Sequence, residues 1–186
     1  MQAHPVRLAV TAGALFTILA LPAVQAQAAL KPITVTDKQS RAEALDNEAE
    51  HYELTDWSHI RKAAALREKA AGLREESDVK KATSLYFAAH DRYYADDVAA
   101  ARTLMGRSGE QALAVGDVIG AAKAFTDAAY ISAELRDAAN TKYYADRAKL
   151  LSNSPMLSAA QRTDLRSRLA LADTIVQRVA TRRVSP

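Results

Sequence analysis

The sequence predicts an all-α protein built from antiparallel helix-turn-helix repeats, with a C-terminal helix that caps the stack. Beyond Pro32 the only prolines are Pro155 and Pro186, and the whole chain has 6 glycines, so little interrupts helix formation. Apolar residues recur at spacings of three and four, whereas strand-like alternation is confined to residues 33–36. A plain helical bundle is the alternative architecture.

Helix starts in the first half of the chain follow from capping residues that precede apolar stripes. Side-chain oxygens at these positions satisfy backbone N–H groups that the first helical turn leaves free. The second predicted helix ends at residues 75–76. The three predicted starts are, in chain order, Thr36 in a capping box with Gln39, then Thr55 or Asp56, and then Ser77 or Asp78.

The second half is predicted to hold four more helices. The fourth covers residues 92–115, and the following glycine is a typical helix stop because it adopts the left-handed conformation at little cost. The fifth runs through Phe125, and the sixth covers residues 143–151. The remaining signals are Gly116 as the stop, Asp117 as the next N-cap, and Ser158 with Gln161 as the capping box of the last helix.

The N-terminus has the pattern of a secretory signal peptide. Arg7 precedes a mostly apolar stretch at residues 8–21, which is too short to span a membrane, and small residues follow it. The predicted signal peptide is residues 1–26, with cleavage after residue 28 as the alternative. A linker at residues 27–35 and a helical domain at residues 36–186 follow, and the protein is expected to be periplasmic or secreted.

Composition excludes several kinds of chemistry. The chain has no cysteine, which excludes a lipid-modified cysteine, disulfides and thiolate chemistry. Its net charge is +3, but residues 37–56 are strongly acidic and residues 158–186 are rich in arginine. We interpret both as solvated helix faces. The alternatives are contact between these oppositely charged ends in neighbouring molecules, and less favoured contact with a membrane surface.

Catalytic and cofactor-binding motifs were sought and not found in the sequence. His51 and His59 do not form a metal-binding motif, and residues 106–109 lack the strand and the lysine of a phosphate-binding loop. The C-terminal arginines are not interleaved with aromatic residues, as a nucleic-acid surface would require. We therefore expect no enzyme, no cofactor, no metal and no nucleic-acid partner.

Two segments repeat with an offset of 39 residues and resemble the tetratricopeptide repeat (TPR) family over roughly residues 55–155. In the second copy, small and bulky residues follow that family's packing order, with Gly116-Asp117 at the turn between its two helices. That copy reads Met105-x3-Gly109-x2-Ala112 and then Ala121-x3-Phe125-x2-Ala128. The first copy reads Leu66-x3-Ala70-x2-Leu73 and then Ala82-x3-Tyr86-x2-Ala89.

The resemblance implies a binding or scaffold protein whose concave groove contacts a protein or peptide. Carried over by position, it places Arg67, Arg74, Thr103 and Glu110 toward that groove. The alternatives are a self-associating structural protein of the envelope and, less favoured, a carbohydrate-binding or accessory enzyme module.

The tetrapeptide Tyr-Tyr-Ala-Asp occurs twice, at residues 93–96 and 143–146. We expect both copies to begin the first helix of a repeat, with one tyrosine of each pair packed between helices and the other facing solvent. The alternative is that exposed tyrosine faces stack on a peptide or a sugar. Tyr94 and Tyr144 are the candidate binding residues in that case.

Overall fold

The structure is a computed structural model that describes the backbone of residues 35–182 and the side chains of residues 36–177. Apart from Val35, the predicted signal peptide and linker lie outside these residues. The described chain is helical throughout and contains no strand, so the all-α prediction is confirmed. The seven helices are α1 Val35–Thr55, α2 Ile60–Leu73, α3 Val79–Tyr94, α4 Val98–Ala114, α5 Val118–Glu134, α6 Ala138–Ser152 and α7 Ala159–Arg182.

Capping side chains explain most helix starts. Asp78 and Asp117 accept hydrogen bonds from the backbone N–H groups of Lys80 and Gly120, as the sequence predicts for N-caps. The predicted capping box of α7 is also present, because the Ser158 N–H donates to Gln161 Oε1 and the Gln161 N–H donates to Ser158 Oγ.

Several predicted boundaries are corrected. α1 already includes Val35, so Thr36 lies within its first turn. Asp56 caps a short 3-10 turn, Trp57–His59, and α2 begins only at Ile60. α4 begins at Val98 rather than at residue 92, and α6 begins five residues before the predicted start, at Ala138.

Three tight turns of the same form connect α3 to α6. In each turn the middle residue has a positive φ, and the next aspartate donates its N–H to a carbonyl five residues earlier, which is the Schellman arrangement. That aspartate then precedes the first residue of the next helix. The middle residues are Asp96, Gly116 and Arg136, followed by Asp97, Asp117 and Asp137.

The core lies around α5, which packs against α4, α6 and α7. α5 contributes eleven buried residues, most of them alanine, so its neighbours approach closely. Phe125 is its largest fully buried side chain, and Gly109 of α4 leaves the space that the Phe125 ring occupies. Each helix from α2 to α6 packs against the next one in the chain, as expected for helices joined by short turns.

No helix in the described part of the chain is long and apolar enough to cross a membrane.

Candidate functional site

A cavity of about 570 Å³ lies along α4. The turn after α2 and the start of α3 border it at one end, and α6 borders it on the other side. We call it the α4–α6 groove. Its lining includes Glu76, Lys81, Leu85, Thr103, Gly106, Arg107, Glu110, Gln111, Ala114, Tyr143 and Tyr144.

Tyr144 forms part of the groove wall, and its ring packs closely against neighbouring helices. A Cβ on Gly106 would lie only 2.9 Å from Tyr144 Cζ, so the glycine is what lets the ring lie against α4. The ring also stacks on Phe125, with the two centroids 6.2 Å apart. Burial raises the pKa of the Tyr144 hydroxyl, which therefore stays protonated at neutral pH.

Tyr143 is held at the groove by a charged pair that links α4 to α6. Arg147 donates from Nη2 to Glu110 Oε2 at 2.7 Å and from Nη1 to the Tyr143 hydroxyl at 2.6 Å. The same guanidinium lies 4.6 Å from the centre of the Phe125 ring. Tyr143 remains 48% exposed, so part of this oriented residue is accessible to a ligand.

The opposite end of the groove carries positive charge. Gln111 donates to the Glu76 carbonyl at 2.5 Å, which fixes the turn after α2, and Lys81 pairs with the Glu76 side chain. Arg107 is exposed on α4, and no carboxylate among the described residues lies within ion-pairing distance of it. The groove therefore presents one unpaired guanidinium.

Three of the predicted binding residues meet in this groove. Thr103, Glu110 and Tyr144 all line it, on α4 and α6. The Thr103 hydroxyl donates to the Ala99 carbonyl, which leaves its oxygen available as an acceptor. Tyr94 lies elsewhere, at the end of α3, where its ring meets Trp57 edge to face at 5.3 Å.

Arg67 and Arg74, which the resemblance placed toward the groove with Thr103 and Glu110, do not line the α4–α6 groove. Both are buried against α1 and border another cavity, of about 380 Å³. Arg67 donates to Glu53 Oε1 at 2.6 Å and lies 3.5 Å from Asp91 Oδ2. Arg74 pairs with Asp46 at 2.8 Å and with Asp78 at 3.1 Å. The acidic residues of α1 therefore occupy the place that the resemblance implied for a partner.

The Asp91 carboxyl belongs to this cluster and has a raised pKa. Burial and the negative charge of Glu53 raise its pKa from 3.8 to about 7, and the nearby Arg67 only partly offsets them. The Asp91 carboxyl is therefore substantially protonated at neutral pH.

The two Tyr-Tyr-Ala-Asp copies occupy different structural positions. Tyr93 and Tyr94 are the last residues of α3, whereas Tyr143 and Tyr144 lie inside α6, which begins at Ala138, so neither copy begins a helix as expected. One tyrosine of each pair is more buried, as expected, but it is the first in one copy and the second in the other. The repeated tetrapeptide therefore does not form the same structural site twice.

The sequence reasoning missed two groove residues, Tyr143 and Arg107, and also Arg147, which pairs with Glu110 of the groove. Arg107 is four residues after Thr103 and three before Glu110, so these residues share one face of α4, and that spacing could have identified it. No comparable signal predicted Arg147, because its role depends on the pairing of α4 with α6. Among the described residues, no three His, Asp or Glu side chains are placed to hold a metal ion.

Comparisons with known proteins leave the family open. No protein-family model matches this chain, and neither the curated proteins nor the solved structures include a significant match.

Proposed function

We propose that this protein is an exported, non-enzymatic binding protein of the bacterial cell envelope, whose α4–α6 groove holds a segment of a peptide or protein partner. The observation that carries the proposal is the combination, in one groove, of the half-exposed aromatic residue Tyr143 with the exposed cation Arg107, which has no carboxylate partner among the described residues. The N-terminal sequence pattern supports export, and the TPR resemblance supports a helical-repeat groove as the binding surface.

The charges of the groove favour a partner segment that carries a carboxylate beside an apolar or aromatic side chain. Glu110 and Glu76 are already paired with Arg147 and Lys81, which leaves Arg107 to be neutralised by the partner. Tyrosine and arginine are the residue types that most often dominate binding energy at protein interfaces. The volume of about 570 Å³ also falls within the roughly 300–1,000 Å³ range of ligand sites.

Self-association through the acidic and basic ends is less well supported. Glu43, Asp46, Glu48 and Glu53 of α1 pair with cations of α2 and α3 in the same chain. On α7, Arg168 is paired with Asp127 and Asp164. These four acidic residues are therefore already paired within the chain, which leaves fewer negative charges for contact with a neighbouring molecule.

Site-specific photo-crosslinking in cells tests the groove directly. A photoreactive residue at Thr103, which is exposed and lines the groove, should capture a defined partner that mass spectrometry identifies. Arg107→Glu and Tyr143→Ala should each abolish that capture. The matched control is Arg166→Glu, which makes the same charge change at an exposed position of α7 and should leave capture intact.

These variants separate binding from folding because Arg107 and Arg166 are both exposed. Substitutions at such positions change stability by about 0.5 kcal/mol or less. The Arg107→Glu and Arg166→Glu variants should therefore unfold at nearly the same urea concentration as the wild-type protein. Capture that survives both Arg107→Glu and Tyr143→Ala would exclude the α4–α6 groove as the binding site. Crosslinks only to further copies of the same chain would favour self-association instead.

A further inference from the structure

α1 covers three positively charged side chains that belong to the neighbouring helices α2 and α3. Each of them pairs with a carboxylate of α1 over an N–O distance of 2.5–2.8 Å. The pairs are Arg67 with Glu53, Arg74 with Asp46 and Lys80 with Glu43. We call these three cations the cationic surface. Asp91 and Asp78, outside α1, also contact its two arginines, so the surface without α1 would hold three cations and two acids.

The residues of α1 that meet this surface recur along one side of the helix. Ala42, Asp46, Ala49 and Glu53 follow one another at spacings of four, three and four, which places them in one stripe. Both alanines are fully buried, and both carboxylates pair with the cationic surface. The surface therefore accepts a helix in which small residues and carboxylates alternate along one stripe.

α1 leaves part of the region around the cationic surface uncovered. A cavity of about 380 Å³ lies among α1, α2 and α3, with Asn47 of α1 and Phe87 of α3 in its lining. Phe87 is 42% exposed, and the Arg67 guanidinium lies 4.8 Å from the centre of its ring. A helix with a larger apolar side chain in place of Asn47 would extend into this cavity and bury apolar surface that α1 leaves exposed.

The attachment of α1 favours its replacement by another helix. Its fully buried apolar residues among those described are Ala42 and Ala49, with Tyr52 partly buried beside Ala49. Its ion pairs add little net free energy, because both charges lose water when they pair. The turn that follows α1, Trp57–His59, contains no buried residue. A second helix with the same carboxylates would restore the ion pairs that α1 gives up.

We propose that the cationic surface is a docking site for an acidic amphipathic helix of a partner protein, and that α1 occupies this site in the free chain as an autoinhibitory segment. The partner helix carries two carboxylates seven residues apart, in the positions of Asp46 and Glu53, and an apolar residue directly after the first. This site shares no lining residue with the α4–α6 groove, so the proposal does not depend on the peptide-binding role of that groove.

Fluorescence anisotropy with the purified full chain and a labelled peptide tests the proposal. The probe is residues 36–55 with Asn47→Leu, which offers leucine to the cavity. Asp46→Ala in the full chain removes a contact of α1 and leaves the cationic surface intact. This variant should bind the probe about tenfold more tightly than wild type, because apparent affinity scales with the open fraction. The probe with Asp46→Asn and Glu53→Gln added should bind about tenfold more weakly, since it lacks both charged acceptors.

A locked form shows whether binding requires displacement of α1. The chain contains no cysteine, so a single pair can be introduced. Glu48→Cys and Lys62→Cys replace an exposed ion pair between α1 and α2 that lies outside the cationic surface, and a bis-maleimide can join them. In the Asp46→Ala background, the crosslinked protein should lose probe binding, whereas the same protein capped with N-ethylmaleimide should retain it. Equal binding by the two forms would overturn the proposal.

Charge reversal locates the binding site. In the Asp46→Ala background, Lys80→Glu should weaken probe binding about tenfold, since it replaces attraction by repulsion. Lys69→Glu, at an exposed position of α2, and Arg107→Glu, in the α4–α6 groove, should leave binding intact. Loss of binding in Arg107→Glu alone would reject the cationic surface.

A second opening variant covers the case in which Asp46→Ala does not fold. Glu43→Ala removes the ion pair with Lys80 at an exposed position of α1. Absence of saturable probe binding to both opening variants would overturn the proposal. Bis-maleimide crosslinks between chains, rather than within one chain, would replace the partner helix by α1 of a second copy.

Discussion

At the scale of single residues, the buried cluster around Arg67 contains more acid than base. Glu53 pairs closely with Arg67, and Asp91 lies 3.5 Å from the same guanidinium in a buried position. Because the pKa of Asp91 is about 7 in the folded protein and 3.8 in the reference state, the folded chain holds a proton that the unfolded chain loses. The stabilising contribution of this group is complete below about pH 4 and is lost as pH rises from there through about 7.

Asp91→Asn should therefore flatten the dependence of stability on pH. Relative to wild type, the variant should gain about 1–3 kcal/mol in unfolding free energy at pH 8 compared with pH 4, since asparagine carries no charge to bury. Urea denaturation across this pH range measures the difference. Glu50→Gln, at an exposed position of α1, is the control and should leave the slope nearly unchanged. Parallel curves for Asp91→Asn and wild type would show that Asp91 is ionised throughout.

Two glycines provide a second prediction at the residue scale, because they sit in helices with opposite surroundings. A Cβ at Gly109 would lie 2.6 Å from Cε1 of the buried Phe125 ring, whereas a Cβ at Gly72 would meet no atom within 4 Å. Gly109→Ala should cost about 1–3 kcal/mol through overpacking. Gly72→Ala should stabilise the protein by about 0.5–1 kcal/mol, because alanine loses less backbone entropy in a helix. Equal urea midpoints for the two variants would contradict this packing.

At the scale of elements, the three Schellman turns decide where α4, α5 and α6 begin. Gly116 has a φ of 78°, and Arg136 has a φ of 57° in the equivalent position. Gly116→Ala should destabilise the protein by about 1–2 kcal/mol, and Arg136→Gly should stabilise it by up to about 1 kcal/mol, because side chains other than glycine are strained in this region. Thermal unfolding of the two variants tests both signs. A loss of stability in Arg136→Gly would indicate that the arginine side chain makes a stabilising contact.

The same turns show which elements could be predicted from the sequence. The start of α5 was predicted because Gly116-Asp117 combines the usual left-handed residue with an N-cap. The starts of α4 and α6 were missed because Asp96 and Arg136 adopt the left-handed conformation without being glycine, which no local pattern indicates. The α4–α6 groove was found in part, since Thr103 and Glu110 are on α4. Arg67 and Arg74 lie outside this groove, against α1, because the position of α1 depends on contacts across 14 to 28 residues.

At the scale of the whole molecule, α1 is attached differently from the other helices. Its fully buried apolar residues among those described are two alanines, Ala42 and Ala49. At about 0.8 kcal/mol for each buried carbon group, their burial is small for a helix of 21 residues. Tyr52 packs, partly buried, against the small cluster that contains Ala49 and Ile60, and ion pairs of α1 to Arg67, Arg74 and Lys80 supply further attachment, whereas α5 is held by a continuous apolar core.

This difference predicts that α1 opens on its own and that Asp46 controls the opening. The Asp46 carboxylate accepts hydrogen bonds from Arg74 and Ser84, both at 2.8 Å, so Asp46→Ala leaves a buried guanidinium with only Asp78 as its partner. Hydrogen-exchange mass spectrometry should show faster exchange in α1 peptides while α5 peptides keep their protection. The control Glu50→Ala, at an exposed position of the same helix, should leave both unchanged. Equal loss of protection in α1 and α5 would show instead that the seven helices unfold as one unit.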